Sequence, residues 1–390
     1  MTTPSSHPVN HDLLMTQILE GMFTIKKDEW SDNYAVALQY SEKDTHYSRV
    51  EIAHYGSDHK EINHINVIPT EGYEAIRILD INVRENSDVY FCLGAYLKQT
   101  DPKNGKLLVG SVRKGQNVAQ IKTLEFGNNK DLETCMLLYN PKEKNLILTT
   151  LIETDSKKTI KYISSYITVI DASDLGIVFH KSIETPNIDD AYKTIFGDKK
   201  SFTGVPQTMY INDDGTYTIV FQMIEPYGSL IYLSHVAVAV FNNELKEINS
   251  YLVPMKQTVT SSLVSFYLYI SKNHSKSVLL FDNGLEYLVA DYADAPEGKY
   301  IFFNDLIQNE KNIERGSVAP VKDVSNADAY VCSLKDNKVE KSLLFGTPDK
   351  GHNYIMISAN NYSKETGYLA TLKHEYKKGS EHKMVWIKLK

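Results

Sequence analysis

The chain has 390 residues, is 42% hydrophobic and 23% charged, and carries a net charge of −7. This is an ordinary globular composition, and with no block of Lys and Arg to neutralise phosphates it argues against nucleic acid as a partner. No run approaches the roughly 18 apolar residues of a membrane span, and the start, MTTPSSHPVNHDLL, has no basic segment followed by an apolar one, so no signal peptide is visible and a soluble protein is expected.

Residues 1–10 read as a flexible tail, followed by an apolar run at Leu13–Leu19. From there the chain repeats one unit. Short β-branched and aromatic runs at Tyr34–Tyr40, Val89–Tyr96, Leu146–Leu151 and Tyr217–Gln222 read as strands, with further candidates at Ile76–Val83, Met136–Tyr139 and Thr208–Ile211. After these comes a hairpin, written five times: Val50–Pro69, Leu107–Gly127, Ile167–Pro186, Val236–Pro254 and Ala329–Gly346. Each copy ends at Pro or Gly, and the stops Pro69, Gly127, Pro186, Pro254 and Gly346 are 58, 59, 68 and 92 residues apart. Helical signal is confined to Asp189–Phe196, with acids in the first turn, and Leu306–Ile313.

A four-strand unit of fixed grammar, repeated in sequence, predicts an all-β fold: a single β-propeller of six four-stranded blades, with seven as the alternative. The 92-residue interval is the reason for the alternative, since Ser265–Ile270, Ser277–Phe281 and Tyr300–Phe303 supply extra strand material. The last strand, Lys383–Leu389, resembles the third strand of a blade. The early run Leu13–Leu19 is therefore expected to complete that blade and close the ring, which removes exposed edges. With no linker rich in Pro, Gly or Ser, residues 1–390 are expected to form one domain.

On these hairpins and stops the chain resembles β-propeller repeat proteins, without the GH…WD signature of WD40 repeats or the paired glycines of Kelch. It is similar to uncharacterised bacterial propeller-like proteins that end in a KMVW-type strand. The resemblance implies architecture only and carries no catalytic residue with it.

Chemistry is less legible. Cys92, Cys135 and Cys332 lie in apolar runs with no C-x-x-C spacing and read as buried structural thiols. His46, His54, His59 and His64 crowd the first repeat without a ligand spacing and are expected on the surface. Asn212–Gly215 reads as a hairpin turn rather than a cation loop. No metal and no cofactor is expected, and no nucleophile motif is present. The connections between units carry aromatics on what would be one propeller face, and these mark the candidate binding residues Tyr73, Tyr192, Phe202, His352 and Tyr354. The leading expectation is a non-catalytic binding scaffold for a protein, peptide or glycan. The alternative is a propeller enzyme, a carbohydrate-active hydrolase or lyase, with carboxylates at the channel mouth.

Overall fold

The computed structural model describes residues 22–28, 31–41, 48–69, 72–84, 88–98, 105–124, 131–154, 162–197, 201–227, 230–260, 287, 290–376 and 381–389. The expected closing strand Leu13–Leu19 and the strand candidates Ser265–Ile270 and Ser277–Phe281 lie outside these residues, as does His46. The chain divides into two compact units, Met1–Ile183 and Glu184–Lys390. Each contains three antiparallel sheets, six in all, and the fold is all-β as expected.

In the first unit, sheet 1 is β1 (Met22–Lys27), β2 (Tyr34–Ser41), β3 (Ser48–Tyr55) and β4 (Glu61–Val67). Sheet 2 is β5 (Ala75–Val83), β6 (Val89–Tyr96), β7 (Lys106–Val112) and β8 (Gln120–Leu124). Sheet 3 is β9 (Asp131–Asn140), β10 (Asn145–Thr154), β11 (Tyr162–Asp171) and β12 (Ile177–Ser182). Every sheet runs up and down in chain order, the pattern of a propeller blade.

In the second unit, helix α1 (Pro186–Phe196) precedes sheet 4, which is β13 (Gly204–Ile211), β14 (Tyr217–Tyr227), β15 (Leu230–Phe241) and β16 (Glu247–Val253). A short β17 (Gln257–Thr260) adds to the far half of β15, so this sheet has five strands. Sheet 5 is β18 (Ala290–Ala295), β19 (Gly298–Asp305), β20 (Asp328–Lys335) and β21 (Lys338–Leu343), with helix α2 (Asn309–Glu314) and the 3-10 turn η1 (Val324–Asn326) between β19 and β20. Sheet 6 has three strands among the described residues, β22 (His352–Ser363), β23 (Tyr368–Tyr376) and β24 (Glu381–Lys388).

All five expected hairpins are observed, as β3–β4, β7–β8, β11–β12, β15–β16 and β20–β21. The Asn212–Gly215 turn is present, Asn212 N–H donating to Thr216 O at 2.9 Å with Gly215 at φ +87°. The first expected helix starts earlier than its acids suggested, because Pro186 fixes the first turn and Glu247 accepts the Asn187 N–H at 2.7 Å. The second is shorter than Leu306–Ile313, since Leu306 and Ile307 belong to the turn that leads into it.

Burial explains the strand order. All eight residues of β6 are buried, whereas β12 is exposed almost throughout, so in sheets 2 and 3 the middle of the sheet forms core while an outer strand faces water. Within each unit, neighbouring sheets pack face to face. One apolar cluster joins sheets 1 and 2 through Ile52, Ile65, Ile81 and Phe91, and another joins sheets 2 and 3 through Tyr90, Leu107, Leu137 and Leu148. In the second unit Val238, Tyr251, Phe303 and Tyr330 join sheets 4 and 5, and Phe302, Ile355, Leu369 and Leu389 join sheets 5 and 6.

A polar tie repeats beside these clusters. The first strand of a sheet has no partner on one edge, and its buried amides need acceptors. Gln39 of sheet 1 accepts from Ile78 N–H at 3.1 Å, Asp80 of sheet 2 from Leu137 N–H at 2.7 Å, and Asn304 of sheet 5 from Ile355 N–H at 3.0 Å. Three sheet-to-sheet junctions thus use one device: a buried side-chain oxygen in place of a missing strand.

Two local expectations are settled here. Cys92, Cys135 and Cys332 are buried free thiols, as expected. The surface reading of the histidines fails for His54, which is fully buried on β3, while His59 sits in an exposed turn and His64 pairs with Glu51 at 2.8 Å.

Candidate binding face

Sheet 6 presents an unusual outward face. Residues alternate along each strand, and Ile355, Leu369, Ile387 and Leu389 point into the cluster shared with sheet 5. The other set comprises Tyr354 on β22, Tyr368, His374 and Tyr376 on β23, and His382, Met384 and Trp386 on β24. On the outermost strand Trp386 is 64% and Met384 59% exposed, and on β23 Tyr376 is 49% and Tyr368 42% exposed. Trp386 stands opposite Ala370, whose methyl group is too small to cover an indole. Lys388 Nζ lies 4.7 Å from the centroid of the Tyr368 ring, a cation–π contact on this face.

Toward β22 the face becomes a closed stack. Tyr354 and His374 are directly opposite and stacked at 4.5 Å, and Tyr287 meets Tyr354 edge-on at 5.1 Å. Burial pushes the Tyr354 hydroxyl up to about 12. Burial, with a smaller contribution from His382, holds His374 below the ordinary histidine range, so its ring is neutral.

At the start of β22, His352 meets sheet 5. Its Nδ1 lies 3.0 Å from Asp328 Oδ2, and Asp328 Oδ1 accepts the Asn353 N–H at 2.8 Å. An ionised carboxylate only accepts, so Nδ1 is the donor in this contact, and the tautomer it selects keeps the lone pair on Nε2. Asp328 stands directly opposite Asp305 in the β19–β20 register, which brings two buried carboxylates together at one strand end. Asp305 accepts from Lys341 Nζ at 2.6 Å, Asn309 Nδ2 at 2.6 Å and Leu306 N–H at 2.9 Å. Burial outweighs these partners and raises the Asp305 carboxyl above its usual value. Beside the pair is a shallow recess lined by Leu306, Ile307, Pro320, Lys322, Asp323 and Asn326.

The five residues marked from sequence fall in three places. Tyr73 is half-buried against the apolar cluster of sheets 1 and 2. Tyr192 and Phe202 do come together, with ring centroids 6.2 Å apart, but Tyr192 is buried and also contacts Phe196 at 4.9 Å and His235 at 5.4 Å. This small core fastens α1 to sheet 4, helped by Asp189 accepting the Phe202 N–H at 2.9 Å. His352 and Tyr354 lie not in a connection but at the start of strand β22, Tyr354 buried and His352 half-exposed. Sequence reasoning missed Trp386, Tyr376, Tyr368 and Asp328. The signal for the first was present: in β24 apolar residues occur in both alternating sets, more than a strand with one buried face requires.

No known protein family and no curated protein sequence matches the chain. Among solved structures it is similar to an α-L-arabinanase of Penicillium chrysogenum complexed with arabinobiose, at 12% identity and TM-score 0.41 over 91% of this chain and 88% of that one. It is similar to the GH93 α-L-arabinofuranosidase of Fusarium graminearum with arabinobiose, at 10% identity and TM-score 0.42 over 90% and 87% of the two chains. A protein of unknown function from Dyadobacter fermentans gives 7% identity and TM-score 0.40 over 94% and 93%. At these values none of the three transfers a residue role to this chain.

Proposed function

We propose that this protein is carbohydrate-active, and that it holds a glycan against the outward face of sheet 6. The observation that carries this is Trp386, 64% exposed, on the same face as the exposed rings of Tyr376 and Tyr368. A sugar ring offers a flat C–H surface that packs on an indole or phenol, and a rim of hydroxyls for the Tyr and Lys tips. Large exposed aromatics on one rigid sheet supply that contact with little ordering cost.

Hydrolysis is the second reading, favoured by the opposed carboxylates Asp305 and Asp328 with His352 beside them. Asp305, with Lys341 as its ion-pair partner, supplies negative charge at this strand end, and His352 in the tautomer that donates Nδ1–H to Asp328 offers the Nε2 lone pair of a general base. Both carboxylates are buried, so this reading requires them to become accessible to a substrate.

A glycan array followed by calorimetry with the hits tests the binding, with arabinobiose and arabinan as first probes. Trp386→Ala should lower affinity at least tenfold while leaving the fold intact. Binding unchanged in that variant, or no glycan bound at all, overturns the proposal. Release of reducing ends from a bound glycan, lost in His352→Gln with affinity retained, supports hydrolysis; no release from any bound glycan removes it.

A further inference from the structure

His374 and His382 stand directly opposite each other on β23 and β24, with ring centroids 4.0 Å apart and planes at 64°. His374 is nine-tenths buried, and among the described residues neither of its ring nitrogens has a hydrogen-bond partner. A buried imidazole without partners is costly, since each nitrogen has left water for nothing. Stacking on Tyr354 accounts for the position of the ring but satisfies neither nitrogen.

We propose that His374 and His382 form a two-imidazole site for a borderline transition-metal cation, with Zn2+ as the reference ion. Imidazole binds such a cation through a ring nitrogen that is not otherwise engaged. Directly opposed residues on an antiparallel pair have Cβ atoms about 4.5–5.5 Å apart, a spacing from which two imidazoles reach one ion at about 2.0–2.1 Å per bond. His382 is exposed and its side chain is free to turn, and the site requires it to turn so that one of its nitrogens and one of His374 meet at the ion. Among the described residues no group of three or more His, Cys, Asp or Glu is placed to hold a metal. The site therefore supplies two ligands and leaves the remaining positions to water or an incoming anion, which makes it an open site rather than a structural one. It stands on the pairing of the two histidines and not on the glycan reading.

The test uses the full chain and Zn2+ alone, by calorimetry and by the shift in thermal midpoint. The parent protein should take up one Zn2+ that His382→Gln weakens at least tenfold, and His374→Gln should do the same. Circular dichroism of His382→Gln checks folding, which replacement of an exposed side chain should not disturb. A difference spectrum with Cu2+ gives an independent readout, since removing either histidine should reduce the number of nitrogens coupled to the copper by one. No Zn2+ taken up, or equal affinity in the parent and both variants, overturns the proposal.

Discussion

Gly316 lies so close to Ile195 that a Cβ on the glycine would sit 2.8 Å from the Ile195 carbonyl oxygen. The residue also has φ +70°, where a side chain is strained in any surroundings. This contact joins the end of α1 to the 306–327 connection, so two excursions from different sheets of the second unit support each other. Gly316→Ala should cost about 2–4 kcal/mol, from about 1–2 for the left-handed backbone and the rest from displacing a backbone oxygen. Gly346 has the same φ of +70° with nothing within 4 Å, so Gly346→Ala should cost only about 1 kcal/mol. Urea denaturation of the two variants measures the difference, and equal losses would show that the Ile195 contact contributes nothing.

The polar ties between sheets make a sharper prediction at Asn304. Its Oδ1 accepts from Ile355 N–H, while its Nδ2 donates to Tyr287 O at 2.7 Å and Ile355 O at 2.8 Å. Asn304→Asp keeps the shape but turns two donations into carboxylate–carbonyl repulsions. A loss of about 2–4 kcal/mol is expected at neutral pH, the range for a buried polar group left unmatched. The deficit should shrink in acid, where a protonated carboxyl recovers one donor. A deficit independent of pH would point to packing instead.

Lys341 and Asp305 show why a buried ion pair is better judged by breaking it than by counting it. The Lys341 ammonium lies 4.2 Å from the Tyr330 ring centroid and 5.3 Å from that of Phe303, within a site that leaves Asp305 almost no exposure. Lys341→Met strands the carboxylate and should cost about 3–5 kcal/mol. Adding Asp305→Asn should recover part of that loss, because Asn309 and Leu306 then face a neutral partner. A double-mutant cycle checks this, and simple additivity of the two losses would contradict it.

The hairpins were legible because strand alternation and Gly, Pro and Asn turns are local chemistry, and the stops Pro69, Pro254 and Gly346 fall just past the ends of outer strands. The aromatic outward face of sheet 6 was not. In β24 the apolar residues Met384 and Trp386 alternate with Val385 and Ile387, so the period of two identifies the strand but cannot say which set meets sheet 5. That choice is made by Ile355 and Leu369 on the neighbouring strands. The carboxylate cluster was hidden for a similar reason: Asp305 and Asp328 are brought opposite each other by register, across a 22-residue connection that carries no strand. Tyr354 and His352 were marked because they adjoin a connection, but the residues they contact, His374 and Asp328, come from other strands.

The buried histidines give the protein a definite response to acid. Burial holds His54 and His374 below the ordinary histidine value of 6.5, with Lys114 adding to the effect at His54 against Asp88 and Asp28, and His382 adding to it at His374. In the unfolded chain both rings take up protons near 6.5, whereas in the fold they resist until a lower pH. Between those points the unfolded state holds more protons, so acid favours unfolding. Their contribution is complete above about pH 6.5 and is lost as the pH falls below it toward the folded values. Urea midpoints should therefore hold steady from pH 8 to 7 and decline from about pH 6.5 to 5, a window the model histidine value sets. His54→Leu should flatten that decline whatever it does to stability at pH 7.5, because the slope counts protons and not contacts. An unchanged slope would mean that His54 is protonated as readily in the fold as in the open chain.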